Sequence, residues 1–165
     1  MKIGLVPAAV VALVVSGGAP AAKAERKCPV THPNGNSPKE SPGSKMAPRD
    51  LDSFNYGNGA LWIALYWQRG TIVASPDGSS EAIIAPDGSV QVKVGWYRGV
   101  SGKLTLTGRR LGTSAPPLRA HMPDGYTPFG FQPTGIVFPT VGCWRVTGRV
   151  GRRASLTFVV RVVER

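Results

Sequence analysis

The sequence predicts an all-β protein: an immunoglobulin-like antiparallel β-sandwich preceded by a cleaved signal peptide and a Pro-rich strap. Three observations carry this. Short apolar or alternating runs recur through residues 54–165, with turn signals about every 8–12 residues. No segment after the leader has helical periodicity, and 21 glycines and 15 prolines disfavour long helices. The first 24 residues have the three-part build of an export signal. The expected division is therefore 1–24 signal peptide, 25–53 Pro-rich irregular segment and 54–165 sandwich domain.

In the leader, Lys2 supplies the positive start and Ile3 to Val15 runs uncharged, rich in Val, Leu and Ala. Ser16, Gly17, Gly18 and Pro20 interrupt any helix, and Ala22-Lys23-Ala24 fits cleavage before Glu25. A retained anchor is the rival reading, because Ile3 to Ala22 is uncharged over about 20 residues, enough to cross a bilayer. Pro7 and the Gly-Gly-Ala-Pro break argue against it, so no membrane span is expected in the mature chain. Cys28 follows Glu25, Arg26 and Lys27, which is not a lipoprotein arrangement. The expected location is extracellular, periplasmic or at the cell surface.

Pro29, Pro33, Pro38, Pro42 and Pro48 then recur among Asn, Gly, Ser and Lys. Each proline removes a backbone donor, so this segment reads as a stalk or strap rather than a central strand. Leu61 to Trp67 is a dense apolar run and reads as a strand buried on both faces, with Thr71 to Ala74 as its expected partner. Glu81 to Ile84 is a short strand between turns. Val90, Val92, Val94 and Trp96 alternate with Gln91 and Lys93, and Leu104 to Thr107 repeats that pattern. Ile136 to Phe138 is a further short strand. Trp144, Val146 and Val150 alternate with Arg145, Thr147 and Arg149. In the last strand, Leu156, Phe158, Val160 and Val162 share one face and Thr157, Val159, Arg161 and Val163 the other.

Pro-Asp-Gly occurs at residues 76–78, 86–88 and 123–125. Proline presets the first turn position, aspartate bonds its own backbone and glycine accepts positive φ. A calcium loop needs more oxygen ligands than one aspartate provides, so these read as turns. Gly148 to Arg153 reads as the hairpin joining the last two strands.

Loss of Lys2 and Lys23 with the leader lowers the formal charge from +11 to +9, which favours attraction to anionic surfaces. The chain has two cysteines, Cys28 and Cys143. In an exported protein an even count points to a disulfide, here with a single intramolecular pairing that would staple the strap to the domain. The alternative is a thiolate metal site using Cys28, His32, His121 and Met122. A blue-copper site wants a Cys, two His and usually a Met at one end of a sandwich, and no His or Met follows Cys143. No metal and no cofactor are expected. The spacing of the cysteines, and Trp144 beside Cys143, set the chain apart from an antibody-type domain.

No nucleophile elbow, paired-histidine metal helix, Cys-x-x-Cys or phosphate loop is present, and no catalytic residue is assigned. His32 and His121 lack a marked partner serine, and Asp50 and Asp52 flank Leu51 in a segment that reads as loop. Surface features are the better candidates. Arg145, Arg149, Arg152, Arg153 and Arg161 form a candidate basic surface, suited to phosphate or carboxylate through the planar guanidinium fork. Tyr97, Tyr126 and Phe129 form a candidate aromatic surface.

Several stretches carry a resemblance: Cys28 with Thr31-His32-Pro33-Asn34-Gly35, Tyr56-Gly57-Asn58, Leu61-Trp62, Lys93 with Trp96, and Leu104-Thr105 with Gly108 to Leu111. Others are Gly130-Phe131-Gln132, Phe138-Pro139, Gly142-Cys143-Trp144, Val146-Thr147-Gly148 and Ser155 to Val159. On these the chain resembles a group of uncharacterised exported bacterial proteins spanning most of the mature sequence. The resemblance implies export, an all-β domain and joint presence of both cysteines. It implies no activity. Relatives tend to carry an acidic residue where this chain has Arg145, which weakens any role assigned to a carboxylate there. The functional expectation is a non-enzymatic exported binding module. Its expected partner is an anionic envelope polymer or another exported protein, not cytoplasmic nucleic acid. A secreted protease inhibitor or enzyme accessory domain using the Pro123–Pro133 loop is the first alternative. An extracellular hydrolase using Asp50, Asp52 or His121 is the second, and a purely structural envelope role the third.

Overall fold

The structure, a computed structural model, describes residues 27–36 and 54–165. The expected signal peptide, Asp50 and Asp52 lie outside the described residues. The described chain is all-β, with ten strands in one connected sheet. They are β1 (Asn55–Gly57), β2 (Leu61–Ala64), β3 (Thr71–Ser75), β4 (Ala82–Ile84), β5 (Val90–Arg98), β6 (Leu104–Arg110), β7 (Arg119–His121), β8 (Gly130–Phe138), β9 (Gly142–Val150) and β10 (Ala154–Glu164). Among the described residues no helix is long and apolar enough to cross a membrane.

β5 is the hub. β8 pairs with it antiparallel along its whole length, and β7 pairs outside β8. Its other edge is shared by β4 at Val90–Gln91 and by β2 at Trp96–Arg98. From β4 the path runs in parallel through β3 to β10, then antiparallel to β9 and β6. Alternation decides which side is buried. On β5, Val90, Val92, Val94 and Trp96 are buried while Gln91 and Lys93 are exposed. Trp144, Val146 and Val150 of β9 and Leu156, Phe158, Val160 and Val162 of β10 are likewise buried.

Strands that do not hydrogen-bond meet through these rings. Trp96 of β5 lies 6.1 Å from Phe158 of β10, and Phe138 of β8 lies 5.5 Å from Trp144 of β9 (ring centroids). Gly148 of β9 makes room for this packing, because a Cβ there would sit 2.5 Å from the Trp96 ring. Gly148→Ala is therefore expected to destabilise the fold by about 1–3 kcal/mol through overpacking, read as a lower urea midpoint with an unchanged slope.

Three sequence expectations change. Thr71–Ala74 does not pair with the Leu61 run; β3 pairs with β4 and β10 instead. The cause is local. A 3-10 turn at Gln68–Gly70, with Arg69 at φ 51° and Gly70 at φ 69°, redirects the chain. β2 stops at Ala64, although Leu65 and Trp67 stay buried beyond it. The strand expected at Ile136 begins six residues earlier at Gly130, so the Pro123–Pro133 loop is shorter than it reads. Pro133 is tolerated there because β7 borders β8 only from Gly135 on, leaving that edge of β8 unpaired.

The strap closes an edge. β3 pairs with β10 only over Arg161–Glu164, which leaves the same edge of Ser155–Val160 without a strand. The Thr31 amide donates to the Val159 carbonyl and the Val159 amide donates to Thr31 Oγ1, both at 2.8 Å. Asn58 Nδ2 donates to the Ser155 carbonyl at 2.8 Å. Asn34 ties the strap to β1, donating to the Gly57 carbonyl and accepting from the Gly57 amide. Trp62 Nε1 donates to Asn36 Oδ1 at 2.7 Å. Unpaired edges recruit other chains, and Thr31 and Asn58 occupy this one in place of a neighbouring strand.

Candidate functional site

Directly paired residues on neighbouring strands share a face. The registers Arg109↔Arg145↔Val159, Thr107↔Thr147↔Thr157, Thr105↔Arg149↔Ser155 and Cys143↔Arg161 therefore define one outward face across β6, β9 and β10. It carries Arg109, Arg145, Arg149 and Arg161, all exposed. A threonine row crosses its middle, with the Thr147 and Thr157 hydroxyls 2.8 Å apart. Arg109 and Arg145 stand directly opposite each other, a like-charge pairing that costs stability. Arg161 is diagonal to Arg145 across β9 and β10.

Among the described residues none of these four arginines makes an ion pair; the pair at Arg119–Asp87, 3.7 Å, lies elsewhere. The basic character continues past the threonines. The β9–β10 turn holds Arg152 and Arg153, and with Ser101, Lys103 and Thr105 they border an open notch of about 600 Å³. Arg153 Nη1 donates to the Ser101 carbonyl at 3.2 Å, which orients that end. Two basic members of this surface, Arg109 and Lys103, were not in the sequence-derived set. The signal was present in the outward alternation of Thr105, Thr107 and Arg109, but the pairing of β6 with β9 is what places Arg109 beside Arg145.

The candidate aromatic surface is only partly a surface. Tyr97 is 6 % exposed, so it is corrected to a buried position. Its ring lies 5.8 Å from Trp62 and 6.3 Å from Phe129. Tyr126 and Phe129 are exposed, on the loop before β8. Arg98 fixes that loop. Its guanidinium is buried, donates to the carbonyls of Gly102 and Thr127, and has its pKa lowered by desolvation.

Cys28 and Cys143 form a disulfide with Cα atoms 5.6 Å apart, which removes the thiolate reading of Cys28 with His32. His32 is exposed on the strap and His121 exposed on β7. Among the described residues no three His, Cys, Asp or Glu side chains gather as a metal site.

The first two Pro-Asp-Gly loops are turns held by their own side chains. Asp77 Oδ1 accepts from the Ser79 amide and hydroxyl, and Asp87 Oδ1 does the same for Ser89. Gly78, Gly88 and Gly125 take positive φ. Hydrogen bonds from Ser75 and then Ser79 hold the Asp77 carboxyl down at about 2. A carboxyl depressed in the folded state adds stability above its unfolded pKa and loses it as pH falls through the folded value. Stability is therefore expected to drop between about pH 4 and pH 2, and to drop less steeply in Asp77→Ala. Thermal midpoints measured across that range for both proteins check this.

No family model, curated protein or solved structure matches the chain.

Proposed function

We propose that the chain is an exported, non-enzymatic binding module that holds an anionic polymer of the cell envelope on the β6–β9–β10 face. The observation that carries this reading is the unneutralised Arg109–Arg145 pair, with Arg149 and Arg161 on the same face and no carboxylate partner among the described residues. A fold that needed these positions only for solubility would gain by alternating signs. Arginine forks match phosphate and carboxylate oxygens in pairs, and the threonine row supplies neutral hydroxyl donors between them.

Export is supported by the build of residues 1–24 and by the Cys28–Cys143 disulfide, since disulfides persist in oxidising compartments. An immunoglobulin-like sandwich is supported by the ring contacts of β5 with β10 and of β8 with β9. In this reading the sheet bends through β4 and β3, and the two halves face each other. Membership of the exported bacterial group that shares Gly142-Cys143-Trp144 belongs to the same proposal.

The test is binding of a glycerol-phosphate polymer to the mature protein at increasing salt. The reading expects saturable binding that weakens steeply as the screening length falls from about 10 Å at 0.1 M to about 3 Å at 1 M. Binding that is absent at low salt, or indifferent to salt, contradicts it.

A further inference from the structure

A second concave site lies on β5 and β8, far from the arginines in strand order. The outward rows there are Lys93↔Gly135↔His121, Gly95↔Pro133 and Tyr97↔Phe131. Two glycines in one outward patch leave a trough where side chains would otherwise stand. The trough has a volume of about 440 Å³, within the range of small-molecule sites. Tyr66 and Phe131 overhang Gly95: a Cβ at that position would lie 3.0 Å from the Phe131 ring and 3.4 Å from the Tyr66 hydroxyl. Gly135 lies between Lys93 and His121, whose backbones are two strand spacings, about 10 Å, apart.

The lining is thus divided. One end offers two aromatic rings and prolines, and the other an ammonium and an imidazole. Neither glycine is required by its backbone, since both have φ outside the left-handed region. A strand interior normally gains from a β-branched residue, and glycine there marks close approach of another group. The Tyr66 hydroxyl, its pKa raised further by partial burial, is a hydrogen-bond donor beside the trough.

We propose that the Gly95–Gly135 trough binds a carboxylate-bearing sugar ring, with the ring against Tyr66 and Phe131 and the carboxylate held by Lys93 and His121. Aromatic faces pack against the apolar face of a pyranose, and sugar hydroxyls use the Tyr66 hydroxyl. The single fixed cation selects an acidic sugar over a neutral one. This site is separate from the arginine face, and its occupancy does not depend on that reading.

Gly135→Val tests it cleanly. A Cβ at Gly135 would meet its nearest neighbour, the His121 Cβ, at 3.8 Å, an ordinary contact. The added Cβ therefore meets no clash, and the valine methyls extend from it into the trough. The probe is a galacturonic acid tetrasaccharide, measured by titration calorimetry, with maltotetraose as the neutral control. Wild type is expected to bind the acidic probe and to bind the neutral one at least tenfold more weakly. Gly135→Val and Tyr66→Ala are expected to lose at least tenfold, and Lys93→Gln to lose the preference for the acid. Tyr66 is 44 % exposed and outside the core, so its variant keeps the test alive if Gly135→Val misfolds. No binding by wild type, or unchanged binding in Tyr66→Ala, which would place the probe elsewhere on the surface, overturns the proposal.

Discussion

Removing the Cys28–Cys143 disulfide is expected to lower the thermal midpoint by roughly 15 °C and to make the protein associate. The crosslink spans a sequence separation of 115 residues. The chain-entropy model assigns such a loop about 4–5 kcal/mol. For a domain of this size each kcal/mol moves the midpoint by about 3–4 °C. The second consequence comes from what the strap covers. Once Cys28 is released, the strap is held to β10 by the paired hydrogen bonds of Thr31 and Val159 and to β1 by Asn34. Those are a few polar contacts near the surface, each contributing about 1 kcal/mol. Fraying there exposes the Ser155–Val160 edge, including the Val159 backbone that Thr31 had occupied. The Cys28→Ser, Cys143→Ser protein, compared with wild type by calorimetry and size-exclusion chromatography, should show both effects. A midpoint within about 3 °C of wild type, with the same elution, would mean that the strap stays seated without its crosslink.

Replacing Arg109, Arg145, Arg149 and Arg161 with glutamine should cut affinity for a glycerol-phosphate polymer by up to roughly a thousandfold at low salt. The figure takes about 1 kcal/mol per cation near an anionic surface and tenfold per 1.4 kcal/mol. The same change should leave stability unchanged or slightly higher. Arg109 and Arg145 repel across the β6–β9 ladder, and cross-strand like charges cost a few tenths of a kcal/mol or more. Loss of binding without loss of stability is the signature that separates a binding surface from a structural one. Equal affinity in the two proteins would reduce the arginines to sheet-protecting charges.

The legible elements share a physical reason. β5, β9 and β10 each bury one face and solvate the other, so their alternation survives in the sequence. Trp96, Trp144 and Phe158 could be assigned to the core from it. β2 showed through as a dense apolar run, though its end did not, because Leu65 and Trp67 stay buried beyond the last ladder pair. β1 and β7 have three residues each, too few for a period. The first part of β8, before Ile136, was hidden by Gly130, Pro133 and Gly135, residues that ordinarily end strands; two of them line the trough. Parallel pairing of β3 with β10 joins segments about ninety residues apart, and nothing local specifies it. The same limit applied to the surface. Arg145, Arg149 and Arg161 were visible along their own strands. The placement of Arg109 opposite Arg145, and the role of Thr31 as a ladder substitute, exist only across strands.

The most direct test of the arginine face is a map of backbone amide shifts on addition of glycerol-phosphate polymer to the labelled mature protein. The account expects the largest changes at Arg109, Arg145, Arg149 and Arg161 and along the Thr107–Thr147–Thr157 row. Changes centred on β5 and β8, or a saturating interaction that leaves β6, β9 and β10 undisturbed, would contradict it.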